Sequence, residues 1–435
     1  MLSLLGVVIA FAVIIFLIRK KFNFGLSLIV GSLIIGIFSL HKITPVDIIK
    51  AFISGSFYSF REPSKNLIIH SNQEISAGIY TGTIELALLM TLIYLLAKSM
   101  QETGAIKKLI NSLRTFFSKG GTLGVIPAVY GLMPVPGGAL FSVPMIDEEG
   151  DKYNLNKNKK NFLNIWFRHI WFPIYPISSA MILICSKEFS DINIYTLIIA
   201  NIPAFIASVG IGIILLKKFI KKAPKQKIKQ KKDYSGLIYL LPPVLPLFFY
   251  ALLQVFGLPQ IRSFLIGVIF SIILVFFITK VNKKEGIQIL KKSLTWKLAM
   301  AIFGIMIFRE MFEVSQANNI IADIIGSFSI PAIVIVIIIP LILGTLTGYN
   351  LGAIALSYFL VEPFFHLTGL NIIGITSIIF ISSLAGYLIS PIHLCNVLSS
   401  EYLKTDTTRM YKTFVPAVFS LLIVQMIIVM LFFQI

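Results

Sequence analysis

An apolar run from Ser118 to Ile146 is interrupted at its centre by Met133-Pro134-Val135-Pro136-Gly137-Gly138-Ala139-Leu140-Phe141-Ser142, and this interruption restricts the possible folds more than any other stretch. Proline lacks the N–H and clashes with the preceding turn. Glycine is the costliest ordinary residue to order in a helix. In hydrocarbon, backbone groups freed by such a break are tolerated only where they are buried in protein or line a polar cavity. The break is therefore a kink plugged by neighbours or the tip of a re-entrant hairpin. Length separates the two. The run has 29 residues, whereas one crossing takes about 20 apolar residues and two take about 40. Two short arms on either side of Pro136 reach part-way and return, so the expectation is a hairpin over 118–146.

The rest of the chain sets this hairpin in a membrane. Of 435 residues, 57% are hydrophobic and only 13% are charged, which excludes an ordinary soluble core. The fold class expected is an all-α polytopic membrane protein with about ten transmembrane helices and two re-entrant hairpins. A net charge of +19 would suggest nucleic acid if it formed a patch on a folded domain. Here the charges lie in short loops between apolar runs, so the partner expected is the lipid bilayer and not nucleic acid. Cys185 and Cys395 sit in apolar surroundings and give neither a disulfide framework nor a metal-ligand spacing. They read as small buried hydrophobes. Met1 to Ile18 lacks a basic n-region and a cleavage site, and reads as a retained first span.

Apolar runs of suitable length fall near 1–18, 24–40, 76–97, 161–184, 193–216, 235–256, 261–279, 298–316, 372–402 and 413–434. Thr44-Pro45-Val46-Asp47 has the make-up of a helix start, with a capping hydroxyl, Pro at the first position and an acid in the first turn. The segment that follows has one apolar face, suits the interface, and ends at Arg61-Glu62-Pro63. Six loop groups, 19–21, 107–119, 152–160, 217–232, 280–297 and 404–412, hold 29 of the 38 basic residues. All six fall in the cytoplasm if the N-terminus is outside and the 118–146 run enters and leaves on one side. A single crossing there would put the nine lysines of 217–232 outside. The charge bias thus favours the hairpin independently of its length.

The two halves of the chain resemble each other loosely. Met100-Gln101-Glu102-Thr103-Gly104 recurs as Met311-Phe312-Glu313-Val314-Ser315, Pro127…Gly131 as Pro340…Gly344, Gly138-Ala139 as Gly352-Ala353, and Pro176-Ile177-Ser178 as Pro391-Ile392-His393. The offset grows slowly from 211 to 215, as small loop insertions would make it. Pro331 to Pro363 is a second interrupted run, with Thr347-Gly348-Tyr349-Asn350-Leu351-Gly352 at its centre. It starts from the opposite side, so the repeats are expected to be inverted, each with a hairpin and a broken span. The breaks are Phe172–Ser179 and Ser390–Asn396. The domain reading is N-terminal scaffold helices over 1–75, a first repeat over 76–216, a basic linker over 217–234, scaffold helices over 235–297 and a second repeat over 298–435. Inverted repeats with broken helices meeting near the midplane mark secondary transporters.

Half-helix N-termini suit an anion, and unwound carbonyls suit Na⁺. The candidate binding residues are Pro136, Gly137, Gly138, Ser142, Tyr175, Ser178, Ser179, Thr347, Gly348, Asn350, Gly352, Ser390, His393 and Asn396. Small residues also serve ordinary helix packing in membranes. Charges inside spans are rarer: Arg168 and His169 before the first break, Arg309, Glu310 and Glu313 before the second hairpin, and His393 in the second break. Arg309 and Glu313, four apart on one helix face, are spaced to pair as scaffolding. Arg168 can instead snorkel to the interface. His393 is the best candidate for a protonatable or substrate-contacting group.

The stretches MPVPGGALFSVPMIDEEG, NIWFRHIWFPIYP and SPIHLCNVLSSEYL resemble signatures of an uncharacterised prokaryotic integral-membrane family of about ten spans. That family is similar to the ion transporter superfamily of gluconate, citrate, dicarboxylate and arsenite permeases. The resemblance implies an elevator mechanism, with hairpins and broken spans moving against a homodimeric scaffold. The Ser-Asn-Thr hairpin tips of the dicarboxylate carriers are absent here. The function expected is an ion-coupled permease of the cell membrane, using H⁺ or Na⁺, for a small organic anion such as a carboxylate. A channel is the alternative. An intramembrane enzyme is the weaker one, because there is no His-Glu-x-x-His or Gly-x-Ser-x-Gly and only five histidines, widely spread. No cofactor is expected beyond the coupling ion.

Overall fold

The computed structural model describes residues 2–57, 82–117, 120–132, 138–221, 232–327 and 330–435. Met133–Gly137, with the candidates Pro136 and Gly137, lies outside these, as do Arg61-Glu62-Pro63 and most of the basic linker. Among the described residues the chain is helical, without named strands. Eight helices among the described residues are long and apolar enough to cross a membrane, which makes this a multi-pass membrane protein by length and composition.

Local signals place the helix ends. Thr44 and Asp47 form a reciprocal cap at Pro45–Phe57: the Thr44 N–H donates to Asp47 Oδ2 at 2.9 Å and the Asp47 N–H to Thr44 Oγ1 at 3.3 Å. Asn23, Asn156, Asn193, Asn282 and Asn371 each accept a backbone N–H at a helix start. The helix Ile194–Ile220 shows how the chain meets lipid. Ile199, Ile206 and Ile214 are more than 60% exposed, while Ala200, Ala204 and Ser208 are buried. Small and polar side chains face protein and large aliphatic ones face outward, as expected where the surrounding solvent is as apolar as leucine.

Contacts divide the chain into two compact units. The first comprises Met1–Thr91, Ser186–Asp191 and Thr295–Ile330. In it, Phe24–Phe38 and Pro45–Phe57 pack on Lys297–Val314 through glycines: a Cβ on Gly25 would stand 1.8 Å from the Met300 carbonyl oxygen, and one on Gly55 2.6 Å from Ile307 Cα. Phe11 packs edge-on against Phe308. Arg309, Glu310 and Glu313 belong here. The pairing expected between Arg309 and Glu313 is replaced by a 3.8 Å approach of Arg309 to Glu310, whose carboxylate also accepts from Ser54 Oγ at 3.3 Å. Glu313 is exposed. Its position on the helix turns it outward, whereas Glu310 faces Pro45–Phe57.

The second unit comprises Leu92–Cys185, Ile192–Leu294 and Pro331–Ile435. It contains two pairs of short helices, Thr122–Gly131 with Ala139–Asp151 and Ala332–Thr347 with Asn350–Val361. Helices of 10, 13, 16 and 12 residues rise about 15–24 Å at 1.5 Å per residue, less than a hydrocarbon core of about 30 Å. The first pair extends beyond the expected end at Ile146, through Asp147, Glu148 and Glu149 to Asp151. The acids are neutralised locally: Lys160 bonds Asp147 and Asp151 at 2.5 and 2.7 Å, and Glu149 meets Lys152 and Arg114 at 2.9 and 3.7 Å. The second pair runs on through Glu362–Leu367, and Asn350–Leu367 together count among the eight long apolar helices. Both expected breaks are present. Helix Lys157–His169 stops, and Ser179–Ile184 begins after an irregular stretch; Ile372–Ile389 stops, and Leu394–Leu403 begins.

Candidate functional site

Each break frees backbone groups, and neighbouring side chains take them up. At the first, Asn201 Nδ2 donates to the Pro173 carbonyl at 2.9 Å, Ser208 Oγ to Ile170 at 3.4 Å, and Trp171 Nε1 reaches back to Ala128 at 3.1 Å. The Tyr175 hydroxyl donates to the Leu132 carbonyl. At the second, Tyr411 donates to the Ser390 carbonyl at 3.0 Å, and Ser390 Oγ donates to Thr345 at 2.7 Å. This is how a chain tolerates non-helical backbone where no water is available.

The ends of the short helix pairs meet these breaks. Gly138, at the start of Ala139–Asp151, lies so close to Arg168 that a Cβ would stand 2.1 Å from Nη2. Arg168 is buried and donates from Nη1 to the Tyr130 carbonyl at 2.9 Å. Gly348 ends Ala332–Thr347 in the left-handed region, at φ +60°, and a Cβ there would be 2.8 Å from Ile392 Cγ1. Glycine satisfies both the dihedral and the approach. Asn350 is buried, with Oδ1 accepting from Ser383 Oγ at 3.1 Å and Nδ2 left without a hydrogen-bond partner.

The two breaks also meet each other. The rings of His169 and His393 lie 4.9 Å apart, and Tyr387 sits against both, with its hydroxyl 3.3 Å from His169 Nε2. His169 Nδ1 is 2.7 Å from the Ile165 carbonyl. His393 is fully buried and, among the described residues, neither ring nitrogen has a partner in hydrogen-bond geometry; the Leu388 backbone is the nearby acceptor. The Cys395 thiol completes the cluster, within 4.8 Å of a nitrogen of each histidine. Beside it runs a buried amide and hydroxyl network. Asn164 accepts from Ser142 Oγ at 2.6 Å and donates to Ser399 Oγ at 2.9 Å. Asn161 Nδ2 donates to Ser400 Oγ at 2.8 Å and Asn396 Oδ1 at 3.3 Å, and Asn396 Nδ2 donates to Tyr411 at 2.8 Å.

Thus Gly348, Ser390, His393 and Asn396 lie in or against the second break and His169 lies against both, while Gly138, Ser142 and Arg168 belong to or contact the helix before the first break and Asn350 contacts the helix before the second. Ser178 caps the Met181 N–H at 3.2 Å, Thr347 Oγ1 bonds its own helix at Leu343, Gly352 is buried in the second pair, and Ser179 is half-buried at a helix start. Sequence reasoning passed over Cys395, Tyr387, Asn161, Asn164 and Ser399. Cys395 had been read as a buried hydrophobe, and its distance of 226 positions from His169 hides the pairing. The only local signal is that Cys395 is two residues from His393.

Three helix N-termini in this neighbourhood, at Gly138, Tyr349 and His393, have no side-chain cap. Their N–H groups and the Arg168 guanidinium make the region electropositive. A void of about 10 Å³ between His169, Trp166, Pro173, Leu384, Leu388 and Leu421 has room for one water at most.

No curated protein matches the chain. Among solved structures it is similar to Neisseria gonorrhoeae MtrF, whose structure is described as illuminating a class of antimetabolite efflux pumps. The identity is 13% and the TM-score 0.45, over 89% of this chain and 94% of that one. Residues 74–432 match the family described as Protein of unknown function (DUF401), and the chain belongs to that family.

Proposed function

We propose that the protein is a secondary active transporter of the cell membrane that moves a small organic anion, a carboxylate, coupled to H⁺ or Na⁺. The observation that carries this reading is the meeting of the two interrupted helices at His169 and His393, with the first short helix pair against the buried Arg168 and the second against Ile392 and Ser383. Irregular backbone at membrane depth is costly, at several kcal/mol for each bare group, and gathering the interruptions lets them share one polar place. Uncapped helix N-termini with a buried guanidinium supply what a carboxylate needs. His169 and His393, while no metal ion holds them, are the groups suited to carry a coupling proton.

Transport requires the site to open to each side in turn. The short pairs act as re-entrant hairpins of two inverted repeats, and they move with the broken helices in an elevator-type exchange against a homodimeric scaffold. With the N-terminus outside and the repeats inverted, the lysine-rich loops would all fall on one side, and this supports the inversion.

The test is uptake into proteoliposomes holding the purified protein, with a panel of carboxylates under an imposed pH or Na⁺ gradient. The expected result is saturable uptake of at least one carboxylate, accelerated by one gradient and lost in Arg168→Ala protein that still inserts. Gradient-independent flux above carrier rates would make the protein a channel. Carboxylate uptake unaffected by Arg168→Ala would remove the site.

A further inference from the structure

The chemistry of the buried cluster goes beyond an anion site. We propose that His169, His393 and Cys395 form a binding site for one thiophilic divalent transition-metal ion of the zinc class. The inference rests on the cluster's geometry and stands whether or not the transport reading does.

Three potential ligand atoms, two imidazole nitrogens and one thiol sulfur, lie within 4.8 Å of one another, all buried. Around a tetrahedral zinc, with Zn–N near 2.0–2.1 Å and Zn–S near 2.3 Å, such atoms are roughly 3.3–3.6 Å apart. An inward shift of about 1 Å, within the reach of small side-chain rotations, closes the site. The donor set selects the ion. Nitrogen and thiolate suit zinc and its neighbours, and a set without a carboxylate does not suit calcium or magnesium.

Two further observations point to a ligand. His393 is 0% exposed and, among the described residues, both ring nitrogens lack a hydrogen-bond partner. A buried polar group left in that state is costly; coordination would satisfy one nitrogen and leave the other N–H for the nearby Leu388 backbone carbonyl. His169 is held in the tautomer a metal ligand requires. With Nδ1–H donating to the Ile165 carbonyl at 2.7 Å, the Nε2 lone pair is directed away from its own helix, toward the Tyr387 hydroxyl. A second hydrogen bond from the distal nitrogen to a backbone carbonyl is what orients metal-bound histidines. Arg168 acts electrostatically on all three groups and is the charge the site must tolerate. A Cys395 thiolate in the ligand set offsets one of the ion's two charges. Three protein ligands leave a fourth position open.

Full-length protein in detergent, with any affinity tag removed and stripped by chelator, would be titrated with Co²⁺ alone. The expected result is a sulfur-to-cobalt charge-transfer band in the near ultraviolet that saturates at one equivalent and is displaced by Zn²⁺. Cys395→Ser should abolish the band and Cys185→Ser should retain it. His393→Ala, a second variant should Cys395→Ser not fold, should weaken apparent Co²⁺ affinity at least about tenfold. Zn²⁺ alone should raise the melting temperature of the unmodified protein and not of His393→Ala. Absence of a band in the unmodified protein, a band unchanged in Cys395→Ser, or a band lost in Cys185→Ser would each overturn the site.

Discussion

Tyr387 and His393 lie ring against ring in a tilted contact, with centroids 4.0 Å apart and planes inclined by 44°. Tyr387 closes the last turns of Ile372–Ile389, and His393 begins the next helix, so the break folds the chain back onto itself around this contact. The same tyrosine hydroxyl reaches His169 at 3.3 Å, at the end of the helix that precedes the first break. The pair thus joins one interruption to the other. Tyr387→Phe keeps the ring and removes one hydroxyl contact, and should cost no more than about 1 kcal/mol in reversible unfolding. Tyr387→Ala removes the ring from a packed site and should cost about 3–5 kcal/mol. Equal losses for the two variants would assign the role to the hydroxyl and not to packing.

Gly131 and Gly138 flank the same arginine but should respond differently to alanine. At Gly131 the new Cβ would meet the Arg168 carbonyl oxygen at 2.0 Å, a backbone atom that moves only with its helix. At Gly138 it would meet Nη2, the far end of a flexible side chain, at 2.1 Å. Gly131→Ala should destabilise by about 1–3 kcal/mol through overpacking. Gly138→Ala should melt close to the unmodified protein while carboxylate uptake falls, because Arg168 is displaced. Thermal unfolding and proteoliposome uptake, measured on both variants, check the contrast.

Gln425 is inserted into the backbone ladder of another helix. Its Oε1 accepts from the Ala204 N–H at 3.1 Å, and its Nε2 donates to the Ala200 carbonyl at 2.7 Å, the two groups that would otherwise bond each other. The amide also donates to Ser377 Oγ, which donates to Asn201, which in turn donates to Pro173 in the first break. Gln425→Leu should therefore cost about 1–3 kcal/mol, as expected for leaving buried polar groups unpaired. A loss of less than a few tenths of a kcal/mol would show that the helix recloses on its own.

Lys160 sets a pH limit at the end of Lys157–His169. Burial pushes its ammonium down, and the hydrogen bonds and charges of Asp147 and Asp151 outweigh this, leaving it above the ordinary lysine value of 10.5. A folded-state value raised above the unfolded one stabilises below the unfolded value, and the contribution disappears as pH rises through the folded value. Alkaline unfolding curves of the unmodified protein and Lys160→Met should differ at neutral pH and draw together only as pH rises past the ordinary lysine value and through the higher folded one. Curves that stay parallel would place the stabilisation in packing of the lysine stem.

Orientation can be tested directly. In a background lacking Cys185 and Cys395, single cysteines would replace Lys157 and His366, both exposed. Residue 157 should react with an impermeant thiol reagent only from the cytoplasm, and residue 366 only from outside. Labelling of both from one side would overturn the inverted repeats.

The sequence by itself determined where helices start, stop and break. Thr44-Pro45-Val46-Asp47 caps as its residue types require, and Phe172–Ser179 and Ser390–Asn396 interrupt helices because proline cannot continue them. Such signals are local and act within a turn or two, so a one-dimensional reading reaches them. Only the tertiary structure decided which breaks meet. His169 and Cys395 are brought within reach by packing between helices far apart in the chain, and no periodicity encodes that distance. The structure likewise paired Arg309 with Glu310 and not Glu313, because helix spacing allows several partners and the neighbouring helix, through Ser54, selects one. Hydrophobic pattern specifies a helix and its lipid-facing side. The choice among polar partners inside is made by which backbones approach closely, and glycines such as Gly131, Gly138 and Gly348 permit that approach.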